Sequence, residues 1–541
     1  MNLIKLKNKS LTRHLIAAGL ILNFGISYSH AEETAVTAET DKVSVEEKIK
    51  SRLAEIAAEA RAADRAKNGY YVERKSYGTG KETDPPRYVK QANKTWLKDY
   101  DSFADTDWLD LGLEFRARQE IRDNDFRRAA QNVDKPLLLR TRAYVGIKNI
   151  LDPLRFAVEV QDSGRSFGDY TRQYDTRDVN QADILQAYAE LNFKQTFLGK
   201  DGLGNDRPIW IRAGRHAWEA GDRRLVARNE WRNTTNTFEG LRSNIGDKKN
   251  DWQLELFAVK PVQRFTNSID KADDSQHFYG SIFNYRGWSD VVTFEPSYFL
   301  LKQDGSKVKF DSGGKPAAGS AKIDREIHTA GLRAYGQIPK TQWDFDASYL
   351  QQWGHQEKTP GGDVLDHDAH AYNAEIGYSF KHPWKPRFSA FYGVATGDKA
   401  DNDTKNQRFE RLFGFARPWS NDDYMEMANI RTPKVRVEFE PNVSFLDNVK
   451  VDTGFSWYHL DSAKDGWSPG KLARDNGTFG KDLGKEYDLR VRFPINQYAS
   501  LNLGYAYFWA GDFIKGRTRA IEANRDANSQ FFYTELTVLG F

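Results

Sequence analysis

The sequence predicts an all-β protein: a transmembrane antiparallel β-barrel of about 18 strands, preceded by a short α-helical segment. Three observations carry this expectation. First, from about residue 109 to residue 541 the chain repeats short stretches in which every second residue is apolar. In residues 137–148, Leu137, Leu139, Thr141, Ala143, Val145 and Ile147 fall on one side, and Arg140, Arg142, Tyr144 and Lys148 on the other. Successive strand side chains point to opposite faces, so this is a strand with one apolar and one charged surface. A charged face suits a water-filled lumen better than a core. Second, the connectors sort by length, short ones alternating with long polar ones. Third, mean hydropathy is −0.72, and beyond the N-terminus no run approaches the roughly 20 apolar residues of a spanning helix. Barrels escape that test because only alternate residues face lipid. An aromatic-rich soluble sandwich would share the composition, but it has no reason to sort its loops by length.

Taken in chain order, residues 1–31 read as a secretory signal. Lys5, Lys7, Lys9 and Arg13 precede an apolar stretch, and Ser29-His30-Ala31 offers small residues for cleavage. In residues 32–68, Val45, Ile49, Leu53, Ile56 and Ala60 recur at helical spacing and end at Asn68-Gly69. This amphipathic stretch, residues 40–68, is either a handle for a periplasmic export partner or a plain tether. Residues 69–104 read as an irregular linker, so 32–104 form a periplasmic segment and 105–541 the barrel.

The expected strands are 107–119, 137–148, 154–162, 183–194, 208–216, 237–245, 251–260, 277–287, 290–302, 327–337, 342–353, 370–380, 387–396, 433–441, 448–460, 485–494, 499–510 and 531–541. Eighteen is even, as bacterial single-chain barrels require. The long connectors include 120–136, 217–236, 354–369 and 397–432; 195–207 is long for the short class. Short turns face the periplasm in such barrels, which puts both termini there. The terminal Phe541 ends an alternating strand, as suits recognition by barrel-assembly machinery.

Zero cysteines remove disulfides and thiolate chemistry. A net charge of +3 from 79 basic and 76 acidic residues gives no reason to expect nucleic acid. His355, His367 and His370 lie near Asp363, Asp366 and Asp368 in an expected outer loop, but their spacing matches no ligand motif. Asp401-Asn402-Asp403 and Asn421-Asp422-Asp423 lack the calcium-loop pattern. No metal, cofactor or catalytic residue is expected.

The second face of the strands carries the chemistry. Lumen candidates are Arg116, Arg118, Arg140, Arg142, Arg155, Arg212, Arg333, Arg436, Arg490 and Arg492, with Glu114, Glu120, Glu159, Glu190, Glu255, Asp344, Asp346, Glu375, Glu438, Glu486 and Asp488 among them. Arginine is the natural choice for carboxylates, because its planar fork donates two parallel hydrogen bonds and stays charged. Such a lining lowers the barrier for a polyanion. Arg–Glu ladders that merely brace a wide barrel would read the same way, and both readings stand at this point.

Several segments also resemble the alginate export family of outer-membrane porins. They are Ala213-Gly214-Arg215-His216-Ala217-Trp218 running on to Gly221-Asp222-Arg223-Arg224-Leu225, then Trp231-Arg232-Asn233 and Thr237-Phe238-Glu239-Gly240-Leu241-Arg242. Arg408-Phe409-Glu410-Arg411-Leu412-Phe413-Gly414 and Gly504-Tyr505-Ala506-Tyr507-Phe508-Trp509-Ala510-Gly511-Asp512-Phe513 are similar to its later landmarks. The resemblance covers residues 105–541. It implies an outer-membrane channel for passive, selective export of an anionic, alginate-like polysaccharide, with long loops and a periplasmic turn gating the conduit. The alternatives are a porin for small carboxylates or oligosaccharides, and a barrel adhesin or enzyme.

Overall fold

The alternating stretches become eighteen wall strands in the computed structural model, which describes residues 47, 50–52, 55, 65, 67–80, 82–127, 133–168, 176–317, 322–415, 418–421, 423–444, 446–467 and 472–541. They are β1 Leu109–Asp123, β2 Leu137–Ile147, β3 Leu154–Ser166, β4 Asn180–Phe193, β5 Ile209–His216, β6 Phe238–Ile245, β7 Trp252–Gln263, β8 Gln276–Tyr285 and β9 Val292–Gln303. The second half runs β10 Arg325–Gln337, β11 Trp343–Glu357, β12 Val364–Ser379, β13 Arg387–Ala395, β14 Ile430–Phe439, β15 Lys450–His459, β16 Asp482–Pro494, β17 Ala499–Ala510 and β18 Ser529–Leu539. Each pairs antiparallel with the next. The barrel closes where Glu114 to Asp123 of β1 pair with Leu539 to Gln530 of β18.

Its surfaces are inverted relative to a soluble protein. Leu113, Phe115, Val145, Phe156, Val158 and Leu332 are exposed, while Arg116, Arg118, Arg140 and Arg142, one position away on β1 and β2, are buried. A charge on the lipid face costs about 2–4 kcal/mol near mid-bilayer and little at the interfaces. Outward ion pairs obey that gradient: Arg215–Glu239 (3.2 Å) and Lys302–Glu326 (2.7 Å) lie at the long-loop ends of their strands. Exposed Trp288, Trp343 and Trp384 mark the short-turn rim, and Trp353, Tyr392 and Trp457 the opposite one, as aromatic girdles do. One tight feature lies in a landmark motif: Gly214 and Gly240 pair across β5 and β6 with φ of +126° and +150°. A Cβ there would meet the Ala187 and Ala258 carbonyl oxygens at 2.3 and 2.4 Å, so only glycine fits.

One stretch departs from the sequence reading. The expected connector 354–369 shrinks to 358–363, because β11 and β12 continue to the Glu357–Val364 pair. Above the lipid band the ladder persists while the apolar alternation stops, which hides the strand from periodicity. His367 and His370, three apart on β12, therefore face opposite sides. His367 is buried against Gln352 (3.2 Å), and His370 stacks on exposed Tyr349. Among the described residues no group of His, Asp and Glu is arranged to hold a metal.

The apolar core lies inside the long-loop half of the barrel. The described parts of connectors 217–237, 396–429 and 460–481 pack Trp218, Val226, Phe409, Trp419, Tyr424 and Trp467 against inward aromatics such as Phe238, Phe278 and Phe508. Helix α1, Asp512–Arg519, adds Phe513 and Ile514 to this cap.

By contact the chain divides into units 1–64 and 65–541. In the first, Glu47, Lys50, Ser51, Arg52 and Glu55 are helical, with Arg52 paired to Glu55 at 2.7 Å. The expected signal segment and the stripe of Val45, Ile49, Leu53, Ile56 and Ala60 lie outside the described residues. In the second unit, helical Arg65, Lys67 and Asn68 lead to Gly69 at φ +64°, the left-handed stop expected there.

Candidate functional site

Inside the wall the lumen is layered, and the layers follow from where charged side chains alternate inward. At mid-height, Arg116, Arg118, Arg140 and Arg142 meet the inward-folded connector 217–237. Arg116 donates to the Glu230 and Arg232 carbonyl oxygens (2.9 and 2.8 Å), and Arg118 to that of Trp231 (2.6 Å). Arg140 pairs with Glu114 and Arg142 with Glu230, at 2.7 and 2.6 Å. Arg228 of the same connector reaches Glu159 at 2.8 Å. Enclosure raises the Glu230 pKa, but Arg142, Arg228 and Arg140 outweigh it and hold that carboxyl well below its ordinary range. Asn233 pins the connector by donating to the Leu139, Gly164 and Asp178 carbonyl oxygens. The Arg142 side chain is 1% exposed.

At the short-turn end a second tier forms a ring. Arg333 pairs with Glu295 and Asp346, and Arg387 with Asp344, Glu375 and Glu438. Asp452, fully buried, gathers Arg436 (3.0 Å), Arg490 (2.9 Å) and Arg492 (3.1 Å). Arg155 lies 3.7 Å from Glu190, which also holds Arg212 at 2.8 Å. Arg492, Arg155 and Arg490, at 39%, 23% and 21% exposed, look into open space, while Arg212, Arg333, Arg387 and Arg436 are as enclosed as the first tier.

Across this ring runs residues 70–91, which we call the strap. Tyr70 N–H donates to the Lys249 carbonyl, and Ser76 bonds Asp346. The Tyr77 amide donates to Glu375 while its ring lies 3.7 Å from the Arg436 guanidinium. Asp84 pairs with Arg212 and Arg242 at 2.9 and 3.1 Å, and Tyr88 donates to Glu159 at 2.7 Å. Val89–Gln91 then pairs with Gly112–Asp110 of β1 at the closing seam. Beyond it Trp96 donates to the Gly540 carbonyl (2.9 Å) and stacks on Phe541. Between strap and wall lies a cavity of about 900 Å³ lined by Lys148, Arg155, Tyr188, Arg212, Trp218 and Arg242, among others.

All ten sequence-derived arginines thus stand on the inner face. The structure groups Arg116, Arg118, Arg140 and Arg142 in one tier and Arg155, Arg212, Arg333, Arg436, Arg490 and Arg492 in the other. Arg242, Arg387 and Asp452 were missed. Outward Leu241 and Phe388 beside the two arginines carried the signal, since alternation then turns Arg242 and Arg387 inward. Asp84, Tyr77, Arg228 and Glu230 lie on aperiodic segments, and no local pattern marks them.

A closed barrel with a lipid-compatible exterior, a charged lumen and inward-folded loops defines the class of transmembrane β-barrel channels. The alginate export family model matches residues 107–528, and the chain belongs to that family. Among solved structures it is similar to OccAB1 of Acinetobacter baumannii, at 11% identity and a TM-score of 0.50, over 80% of this chain and 97% of that one. It is also similar to OccK8 (OprE) of Pseudomonas aeruginosa, at 13% identity and a TM-score of 0.49, over 80% and 98%. At such identities the likeness is one of fold. No curated protein matches the chain.

Proposed function

We propose that the protein is an outer-membrane channel, a conduit rather than a catalyst, through which an anionic polysaccharide of the alginate type leaves the cell passively. The observation that carries this reading is the ring of arginine forks at the short-turn end, in a member of the alginate export family. Guanidinium forks bind carboxylates bidentately, and alginate is a polyuronate. Loop-length asymmetry supports a periplasmic short-turn mouth with both chain termini on that side. The segment before the barrel is then available to a periplasmic export partner, after removal of residues 1–31.

Single-channel recording in planar bilayers tests the proposal. Anion selectivity, with current blocked by polymannuronate or polyguluronate, is expected. Cation selectivity, or no current, overturns it. A second reading, a porin for small carboxylates or oligosaccharides, is favoured by the strap, which borders a cavity of about 900 Å³, the scale of a small ligand. Block by mono- and disaccharide acids with indifference to the polymers would select that reading.

A further inference from the structure

We propose that Arg212 and Arg242 form a binding site for one carboxylate of the transported anion, which Asp84 of the strap occupies as a built-in competitor until the anion displaces it. This rests on the reading of the protein as an anion channel and adds to it a ligand site and a gate.

The two guanidiniums are oriented independently of Asp84. Glu190 takes Nε and Nη2 of Arg212 at 3.1 and 2.8 Å, and Glu255 takes Nε of Arg242 at 3.1 Å. Tyr188 lies 3.8 Å from the Arg212 guanidinium, and Trp210 and Trp218 each lie 5.0 Å from that of Arg242. Anchored behind and flanked by these rings, both forks turn N–H groups to one point. There Asp84 Oδ2 accepts from Nη1 of Arg212 (2.9 Å) and Nη1 of Arg242 (3.1 Å), and Oδ1 from Nη2 of Arg212 (3.3 Å). Arg333 and Arg436, by contrast, take their ion-pair partners from the wall itself. Here, among the described residues, Arg155, Arg212 and Arg242 take their wall ion-pair partners from two carboxylates, Glu190 and Glu255. The missing negative charge comes from a segment outside the wall.

Asp84 is also positioned to be exchanged. Its side chain is 32% exposed and borders the 900 Å³ cavity, which has room for a uronic acid residue. A tethered group competes at an effective concentration in the millimolar range. A single free carboxylate therefore displaces it only at comparable concentration, and a polyuronate, with many carboxylates, displaces it more readily. Enclosure raises the Asp84 pKa, yet Arg212 and Arg242 hold it at about 2, so the competitor stays ionised throughout the neutral range.

The test compares full-length wild type with Asp84→Asn in planar bilayers, using D-glucuronate as probe and D-glucose as neutral control. The half-blocking concentration of glucuronate is expected to fall at least tenfold in Asp84→Asn, with glucose inert. Adding Arg242→Gln to that variant is expected to reverse the gain. Equal half-blocking concentrations in an anion-selective wild type and Asp84→Asn overturn the site and leave the channel reading intact. A wild type without anion selectivity overturns both. Should Asp84→Asn not insert, Asp84→Ala carries the same expectation and the same overturning result.

Discussion

Arg142 and Arg492 both point into the barrel, yet they do different work. Arg142, 1% exposed, is sealed beneath the inward connector and spends its fork on Glu230 and Gln161. Arg492, 39% exposed, gives Nη2 to Asp452 and keeps part of its fork accessible, with Nε enclosed. The difference lies in what the loops and strap place over each wall strand rather than in the strands themselves. The mid-height tier braces the inward connector; at the short-turn end Arg155, Arg490 and Arg492 keep part of their charge accessible. Of the two meanings an inward arginine had in the sequence, the mid-height tier fits the brace, and the accessible arginines at the short-turn end are those proposed for the anion.

That division breaks most visibly at Arg142. Arg142→Met removes one of the three cations that hold Glu230, leaving Arg228 and Arg140 in place, and costs about 1.5–3 kcal/mol for the lost charged hydrogen bond. The expected outcome is a lower urea midpoint together with a larger, noisier conductance as residues 228–235 leave the wall. Unchanged stability with altered selectivity would place Arg142 in the conducting tier instead.

Arg492→Gln should do the reverse. Asp452 keeps Arg436 and Arg490, and Arg492 is itself partly exposed, so the stability change stays within about 1 kcal/mol, while the reversal potential in a salt gradient shifts toward cation permeation. A stability loss without a selectivity shift would make this tier a brace as well.

Two carboxylates sharpen the comparison through pH. Burial and the neighbouring Asp183 carboxylate push the Asp270 pKa up to about 7, against 3.8 unperturbed. With a raised folded pKa, docking of connector 264–275 is favoured while the proton is bound and weakens as pH climbs from about 4 to about 7. Amide protection of 264–275, after correction for the intrinsic base-catalysed rate, should fall over that window, and Asp270→Asn should abolish that fall. Asp84 behaves oppositely: its contribution is complete above about pH 4 and disappears as pH falls through about 2. The smallest effect is thus a null one, with strap protection flat from pH 5 to 8. A change there would mean that another group latches the strap.

Eighteen strands, their antiparallel order and the inward turn of all ten arginines were readable because each is written in a local period of two. Lipid outside and water inside impose that period on every strand that crosses. It failed where that contrast ends: above the membrane β11 and β12 keep their ladder without alternation, and residues 354–369 pass for a loop. The strap was invisible for another reason. Ser76, Tyr77, Asp84 and Tyr88 are held by Asp346, Glu375, Arg212 and Glu159, partners separated from them by long stretches of chain. Sequence by itself therefore determined the barrel wall and which arginines turn inward. Only tertiary structure decided which arginines are sealed and which are open, because closure of the barrel brings strap, loops and wall to one place and local spacing carries no trace of that.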